Sequence, residues 1–310
     1  MTPDSQQPVL VVGTGAMACA VAARMASANI PVTMLGSWED GLHELAVDGV
    51  RVVEDNGLEH RFPVQVIATP HDCQGVRLAL VLVKSWQTPR AARQLAACMA
   101  PDGLALTLQN GLGNREQLMQ ALGARRVALG VTTLSAWLLS PGRVRTVGEA
   151  IVTLGAQPNL APLTGLLQSA GFIIETATDP HALVWGKLVI NAALNPITAL
   201  LNIPTGELLA RPSARALAQA VVREAAAVAV AQGIRLPYPD PVVAVETIAR
   251  RTAGNLSSML QDVQRGAPTE IDSINGAIVQ AGEATGVPTP INRTLWQLVK
   301  ALRPEGGPLA

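Results

Sequence analysis

The run VLVVGTGAMA, residues 9–18, constrains the fold of this 310-residue chain more than any other stretch. A short β-favouring segment leads directly into Gly13, Thr14, Gly15, Ala16, Met17 and Ala18, and an Ala-rich helical run follows. The spacing is G-x-G-x-x-A in a strand–turn–helix setting. In that setting Gly13 makes the tight turn, Gly15 lets backbone approach a pyrophosphate, and small Ala18 allows close packing of helix on strand. The helix N-terminus, with N–H groups that no helical carbonyl can reach, then faces the phosphates. Such a turn belongs at the first strand of an α/β sheet that binds a dinucleotide.

The pattern up to about residue 178 agrees. PVLVV, PVTML, RVV, FPVQVI, LALVLV, LALTL, VALGVT, IVTLG and FIIE read as strands, and residues 16–28, 89–100, 115–122 and 161–170 as helices. This alternation means a mostly parallel sheet with helices on its faces. From His181 onward the β-rich runs stop, and residues 182–201, 206–209, 213–232, 241–253, 257–264, 270–285 and 292–302 have helical spacing. We therefore expect a Rossmann-type NAD(P)-binding α/β domain over residues 1–178 and an all-helical C-terminal domain over 179–310 for substrate and catalysis. The tail PEGGPLA is expected to fray.

Composition narrows the partners. Charged residues make up only 15% of the chain and apolar ones 49%, against about 25% charged in typical soluble domains, so much of the sequence is core material. The 23 Lys and Arg balance 23 Asp and Glu, which argues against nucleic acid or an anionic membrane and for a small-molecule ligand. Cys19, Cys73 and Cys98 are too few and too far apart in sequence for a disulfide framework or a cysteine metal site. The histidines show no HExxH-like pairing, so no catalytic metal is expected. Met1–Gln7 is polar and no apolar run reaches 18 residues; we expect neither signal peptide nor membrane span, and a cytoplasmic protein.

Polar residues in apolar surroundings mark the candidate chemistry. In WGKLVINAALNP, residues 185–196, Lys187, Asn191 and Asn195 recur every four positions. Each step of four turns a helix by only about 40°, so they form a stripe along one edge of an otherwise buried helix. Pro196 is expected to kink that helix and turn the Asn195 amide outward. Farther on, Ser257, Ser258, Asp262, Glu270, Asp272 and Asn275 crowd a second apolar region. Ser257 and Ser258 suit either ligand contact or a helix cap, and Glu270 either a site or the start of a helix. Lys84 and Asn110 follow strands LALVLV and LALTLQ, at the carboxyl ends where α/β sheets bind ligands. After the second strand comes Gly36-Ser37-Trp38-Glu39-Asp40, which leaves the choice between NAD and NADP open.

Taken together, GTGAMA, VLVKSWQT, LQNGLGN, GVTTLSAWLLSPGRV, WGKLVINAALNPITAL and SSMLQDVQRGAPTEIDSING, in this order, make the chain resemble the ketopantoate reductases (2-dehydropantoate 2-reductases) over nearly its full length. The resemblance implies NADPH-dependent reduction of ketopantoate to pantoate, a step of pantothenate and coenzyme A biosynthesis. Lys187 would be the proton donor. Asn191, Asn195 and Ser258, with neighbouring Ser257, would bind substrate, and Glu270 would serve the ternary site. Gly13 to Ala18, Lys84, Asn110 and Ala136 would touch the cofactor. Two positions depart from the family pattern. Ser37 stands where many members have an arginine for the NADP 2'-phosphate, which leaves NAD as the alternative. Thr205 stands at a substrate asparagine, where its hydroxyl can still donate. Reduction of another 2-oxo acid with NAD(P)H is the competing reaction. A catalytically silent dinucleotide-binding sensor is the competing class, against which the joint presence of Lys187 and Glu270 argues. The apolar run ALAQAVVREAAAVAVA fits a core or a dimer surface, and a homodimer is the expected assembly.

Overall fold

Val9–Val12 is buried at all four positions, as a strand must be when helices or loops cover both faces of its sheet. It is the first element of a computed structural model that describes residues 8–302. The polar Met1–Gln7 and the PEGGPLA tail lie outside the described residues. The chain divides into two units, one comprising residues 1–109 and 114–180, the other residues 110–113 and 181–310. The division thus falls two residues later than 178/179, and four residues of LQNGLGN group with the helical unit.

In chain order the first unit contains β1 (Val9–Val12), α1 (Ala16–Ser27), β2 (Val32–Leu35), α2 (Glu39–Asp48), β3 (Val50–Val53), β4 (Glu59–Phe62), β5 (Gln65–Ile67), β6 (Val76–Val81), α3 (Thr88–Cys98) and β7 (Met99–Thr107). It continues with α4 (Asn114–Leu122), β8 (Val127–Thr132), β9 (Ser135–Ser140), β10 (Arg143–Val147), β11 (Ile151–Gly155), α5 (Ala161–Ser169) and β12 (Ile173–Ala177). Eight of these strands pair in the order β12-β11-β8-β7-β6-β1-β2-β5. Every pairing is parallel except β8 with β11. Sequential strands run outward in both directions from the β1/β6 pair, which makes that pair the topological switch point.

Three features differ from the sequence reading. FPVQVI is not one strand: Phe62 ends β4, Pro63 interrupts, and β5 joins the main sheet while β4 does not. Proline lacks the N–H that a central ladder needs. A second sheet, β4-β3-β10-β9, was not anticipated. Its β9 and β10 are mostly half-buried, with Val144 alone fully buried on β10, so the period-2 signal is faint. It contributes Val50 and Val144 to the same core as α1. Helix α2 was hidden in GSWEDGLHELAVD, which looks like a turn; Glu39 and Asp40 favour its N-terminus, and only Gly41 and Leu45 are buried. Burial pushes the Cys98 thiol up to about 12 and raises that of Cys73, which donates to the Pro70 carbonyl at 3.5 Å. Both remain free thiols.

The second unit contains α6 (Pro180–Leu201), α7 (Glu207–Ala210), α8 (Pro212–Ala231), α9 (Pro241–Arg251), α10 (Ser258–Gln264), a π-helical turn at Asp272–Gly276, α11 (Ala277–Thr285) and α12 (Pro290–Ala301). By length and composition α6 could cross a membrane, yet 72% of its apolar window is buried inside the protein; its apolarity is that of a core helix. The stripe of α8, from Ala214 to Ala229, belongs to the same core. Pro196 does not break α6, which is helical through Leu201. The Ala192 carbonyl, which the missing Pro196 N–H leaves without its helical donor, accepts from Asn275 Nδ2 at 2.9 Å. A side chain thus replaces the lost backbone bond.

Between α8 and α9 the Glu246 carboxylate accepts both Arg215 Nε and Nη2 at 2.7 Å, with Gln219 and Arg250 at 2.9 Å. Hydrogen bonds from Arg215 and then Gln219, aided by the charges of Arg215 and Arg250, hold its pKa down at about 2. A carboxylate whose folded pKa is depressed stabilises the fold above its unfolded pKa and loses that contribution as pH falls through the folded value. Glu246→Gln should therefore lower stability near neutrality and flatten the loss of stability between about pH 4.5 and 2, as read by urea unfolding across that range. Parallel wild-type and mutant curves would show that the cluster contributes nothing.

Candidate functional site

The glycine turn stands at the switch point of the first unit. Gly13 has φ +129°, and a Cβ there would lie 3.2 Å from the Leu82 carbonyl carbon and oxygen, so glycine is required both for conformation and for the close passage of β6. Gly15 is the opposite case: it is exposed, and an added Cβ would meet nothing within 4 Å. Gly15 is also the N-cap of α1, with no side-chain cap. No side chain at Gly15 competes for the first-turn N–H groups, which suits an anion such as a pyrophosphate. Ala18 is fully buried against the sheet, as close packing demands. Ala16 and Met17 pack on the same core as Ala136, which sits on β9 opposite Thr146.

Gly36 was not singled out from sequence, yet a Cβ there would fall 2.5 Å from the Thr14 methyl. Its bareness seats the buried Thr14 at the end of β2. Ser37 follows and is exposed. Lys84 lies just past β6, half-buried, and its N–H donates to Gln87 Oε1 at 3.3 Å. A second set of residues escaped the sequence reading. Gln109 Nε2 donates to the Val83 carbonyl at 2.9 Å and to Thr88 Oγ1 at 2.8 Å, while Thr88 donates to Asn114 Oδ1 at 2.8 Å. This network fixes the backbone next to Lys84. The only hint of it was the polar content of LQNGLGN.

In the helical unit, Lys187, Asn191 and Asn195 lie on α6 as the spacing required. Two contacts locate the turn before Lys187. Gly186 packs so closely that a Cβ would lie 2.5 Å from Pro237 Cγ, and Tyr238 donates to the Gly186 carbonyl at 3.0 Å. Lys187 is half-buried; desolvation lowers its pKa to about 8, and the charge of Glu270 opposes that shift. Glu270 is itself buried and accepts from Asn110 Nδ2 at 3.4 Å. The loop of Asn110 is held at the π turn, where Leu112 N–H donates to the Ser273 carbonyl at 2.9 Å and Gly111, at φ +84°, leaves no room for a Cβ beside Ser273. Asn110, placed with the cofactor residues by resemblance, is thus a neighbour of the carboxylate.

Among the described residues the side-chain amides of Asn191 and Asn195 have no hydrogen-bond partner, nor has the Ser258 hydroxyl, although Asn195 is only 6% exposed. Asn191 and Ser258 are half-buried, and polar groups without a protein partner keep their hydrogen-bonding capacity for another molecule. Two candidates are otherwise engaged. Ser257 is the N-cap of α10, accepting from Leu260 N–H at 3.1 Å, with Thr198 Oγ1 at 2.7 Å. Thr205 uses its hydroxyl proton on the Asn255 carbonyl at 2.9 Å, so it keeps only acceptor capacity. Thr198, unremarked in the sequence, ties α6 to the start of α10.

Comparison with known proteins agrees with these two units. Residues 9–159 match the ketopantoate reductase PanE/ApbA family, and residues 181–303 match the ketopantoate reductase PanE/ApbA C-terminal family. A 2-dehydropantoate 2-reductase of Archaeoglobus fulgidus is 35% identical over 302 residues, covering 96% of this chain and 98% of that protein. The crystal structure of a PanE/ApbA family ketopantoate reductase from Ralstonia eutropha JMP134 superposes with a TM-score of 0.87 at 32% identity, over 95% of this chain and 98% of that one. D-Mandelate dehydrogenase, solved with NADH and anilino(oxo)acetate, shares the fold with a TM-score of 0.88 at 24% identity, over 95% and 98% of the two chains. By its family matches and by relatives above 30% identity along almost its whole length, the chain belongs to the ketopantoate reductase family.

Proposed function

We propose that this protein is a 2-dehydropantoate 2-reductase that reduces ketopantoate to pantoate with NADPH, for pantothenate and coenzyme A biosynthesis in the cytoplasm. The observation that carries the reading is the α6 edge: a lysine with its pKa brought to about 8, a buried glutamate acting on it, and two amides without partners on the same face. Gly13 to Ala18, with Lys84, would hold the pyrophosphate region of the dinucleotide; the open space before Gly15 and the uncapped α1 terminus fit it. The bound nicotinamide supplies hydride to the ketone carbon.

The protein's own groups would do the rest. As negative charge grows on the ketone oxygen, the Lys187 ammonium stabilises it and gives up one proton, leaving a neutral amine that regains a proton from solvent. Burial makes the ammonium a better acid near neutral pH, and Glu270 prevents the pKa from falling so far that the proton is absent at the start. Asn191, Asn195 and Ser258 would orient the acid's carboxylate and hydroxyl. Thr205, with its proton engaged, gives less to a polar substrate arm, and this one observation favours the second reading, reduction of a different 2-oxo acid. The partner in either case is a small 2-oxo acid, with no nucleic acid or membrane involved and a homodimer as the assembly.

Lys187→Ala should lower kcat by about 10²-fold or more while leaving cofactor binding intact; near-normal turnover of ketopantoate would remove Lys187 from the mechanism. Because the general acid must be protonated, wild-type kcat should fall as pH rises through about 8. In Glu270→Gln that alkaline limb should move to lower pH, since the lysine loses the charge that raises its pKa. An unmoved limb would separate Glu270 from the acid.

Exposed Ser37 offers no cation to a 2'-phosphate. Ser37→Arg should raise the NADPH-to-NADH preference in kcat/KM by roughly tenfold, about 1.4 kcal/mol. No gain in an enzyme already selective for NADPH would mean that another basic group reads the phosphate. Assaying ketopantoate beside a panel of 2-oxo acids settles the substrate.

A further inference from the structure

Proline inside a helix leaves the carbonyl four residues earlier without a donor. In α6 that carbonyl belongs to Ala192, which is fully buried and adjacent in sequence to Asn191. Water cannot serve it easily. Asn275 Nδ2 does, at 2.9 Å, from the π turn that begins two residues after Glu270.

The orientation of that amide is imposed from a distance. The Glu224 carboxylate, an acceptor when ionised, receives the Ile291 and Asn292 backbone N–H groups and Asn292 Nδ2, each at 2.9 Å. Asn292 Nδ2 also donates to the Val221 carbonyl at 3.2 Å. With its nitrogen so engaged, Asn292 must turn its oxygen to Asn275, which donates to it at 3.0 Å. Asn275 then faces two acceptors, the Asn292 oxygen and the Ala192 carbonyl, and a flipped amide would set oxygen against oxygen at both. Asn275 and Asn292 are fully buried, and Asn275 Oδ1 has no partner among the described residues. Leaving a buried acceptor unmatched is unfavourable. The arrangement tolerates it in order to keep both N–H bonds.

We propose that Asn275 is a positioning residue for the reaction: by taking the place of the missing Pro196 N–H it locks the Lys187–Asn191–Asn195 edge of α6 to the segment that carries Glu270. The Glu224–Asn292–Asn275–Ala192 relay joins α8, α12, the π turn and α6, so the lysine and the carboxylate that sets its acidity are held by one hydrogen-bonded series. Asn275 lies within the π turn, whose i to i−5 bond runs from Gly276 N–H to the Ile271 carbonyl at 3.0 Å. The positioning role rests on the reading of Lys187 as proton donor.

The test exploits the proline. Asn275→Ala should lower kcat by about tenfold or more, leave the KM for the nicotinamide cofactor nearly unchanged, and move the alkaline limb of the kcat profile to lower pH as Glu270 loosens from Lys187. Pro196→Ala restores a backbone N–H to the Ala192 carbonyl. The double variant Asn275→Ala/Pro196→Ala should therefore regain the stability lost with the unmet carbonyl but neither the lost kcat nor the wild-type limb, because no donor then crosses from the π turn to α6; a merely structural role would bring kcat back with stability. If Asn275→Ala does not fold, Asn275→Ser, too short to reach Ala192, is compared with its own Pro196→Ala double variant. Recovery of wild-type kcat and limb in a folded double variant overturns the proposal, as does wild-type kinetics in Asn275→Ala. Lys187→Ala run alongside keeps the two readings apart: if it is inactive while Asn275→Ala is normal, only the positioning role falls, and if it is active, the proton-donor reading itself falls.

Discussion

An ammonium held inside an apolar helical unit is the interaction on which the rest of the site depends. Burial favours the neutral amine, and a lysine left to burial alone would be deprotonated well below its ordinary pKa. Glu270 offsets part of that effect, and the balance leaves Lys187 at about 8. A group in that range can both carry a proton at neutral pH and release it readily. Both residues shape this state: burial makes the lysine a better acid, and the carboxylate raises its pKa against that effect.

That balance has structural requirements. Charges in a low-dielectric interior interact strongly, in inverse proportion to their separation, so the Lys187–Glu270 relation depends on where the two backbones are held. The fold holds them with short, directional contacts. Gly186 is pressed against Pro237 and bonded by Tyr238, Ser273 holds the Asn110 loop beside Glu270, and Thr198 lies between α6 and the cap of α10. The groups left without partners, Asn191, Asn195 and Ser258, stand apart from this bracing. Rigid support around uncommitted polar groups is what a substrate site requires.

The nucleotide turn follows a different logic. Its chemistry is backbone N–H groups, so the side chains there matter mainly by being small or absent: Gly13 for the β6 backbone, Gly36 for Thr14, Ala18 for the sheet. The polar side chains nearby, Gln109, Thr88 and Asn114, act on backbone and on one another. On the proposed reading, discrimination between dinucleotides would fall to Ser37, which is exposed just past β2, and its neighbours.

The sequence by itself determined the features that follow from local spacing. The strand–turn–helix of GTGAMA, the alternation that makes a parallel sheet, the change to helices after residue 178 and the single edge shared by Lys187, Asn191 and Asn195 all depend on residues within one or two turns of each other. It did not reveal α2, disguised by turn-like residues, or the sheet of β3, β4, β9 and β10, whose half-buried strands alternate too weakly to read. How α6 accommodates Pro196 was not legible either: the group that serves the Ala192 carbonyl is Asn275, about 80 residues away in sequence. Whether Ser257 capped a helix, whether Thr205 had a proton to offer and which residues stood beside Glu270 were likewise decided only by the tertiary structure. Hydrogen-bond partners and burial are properties of segments brought together, and a short stretch of chain carries no record of what will be packed against it.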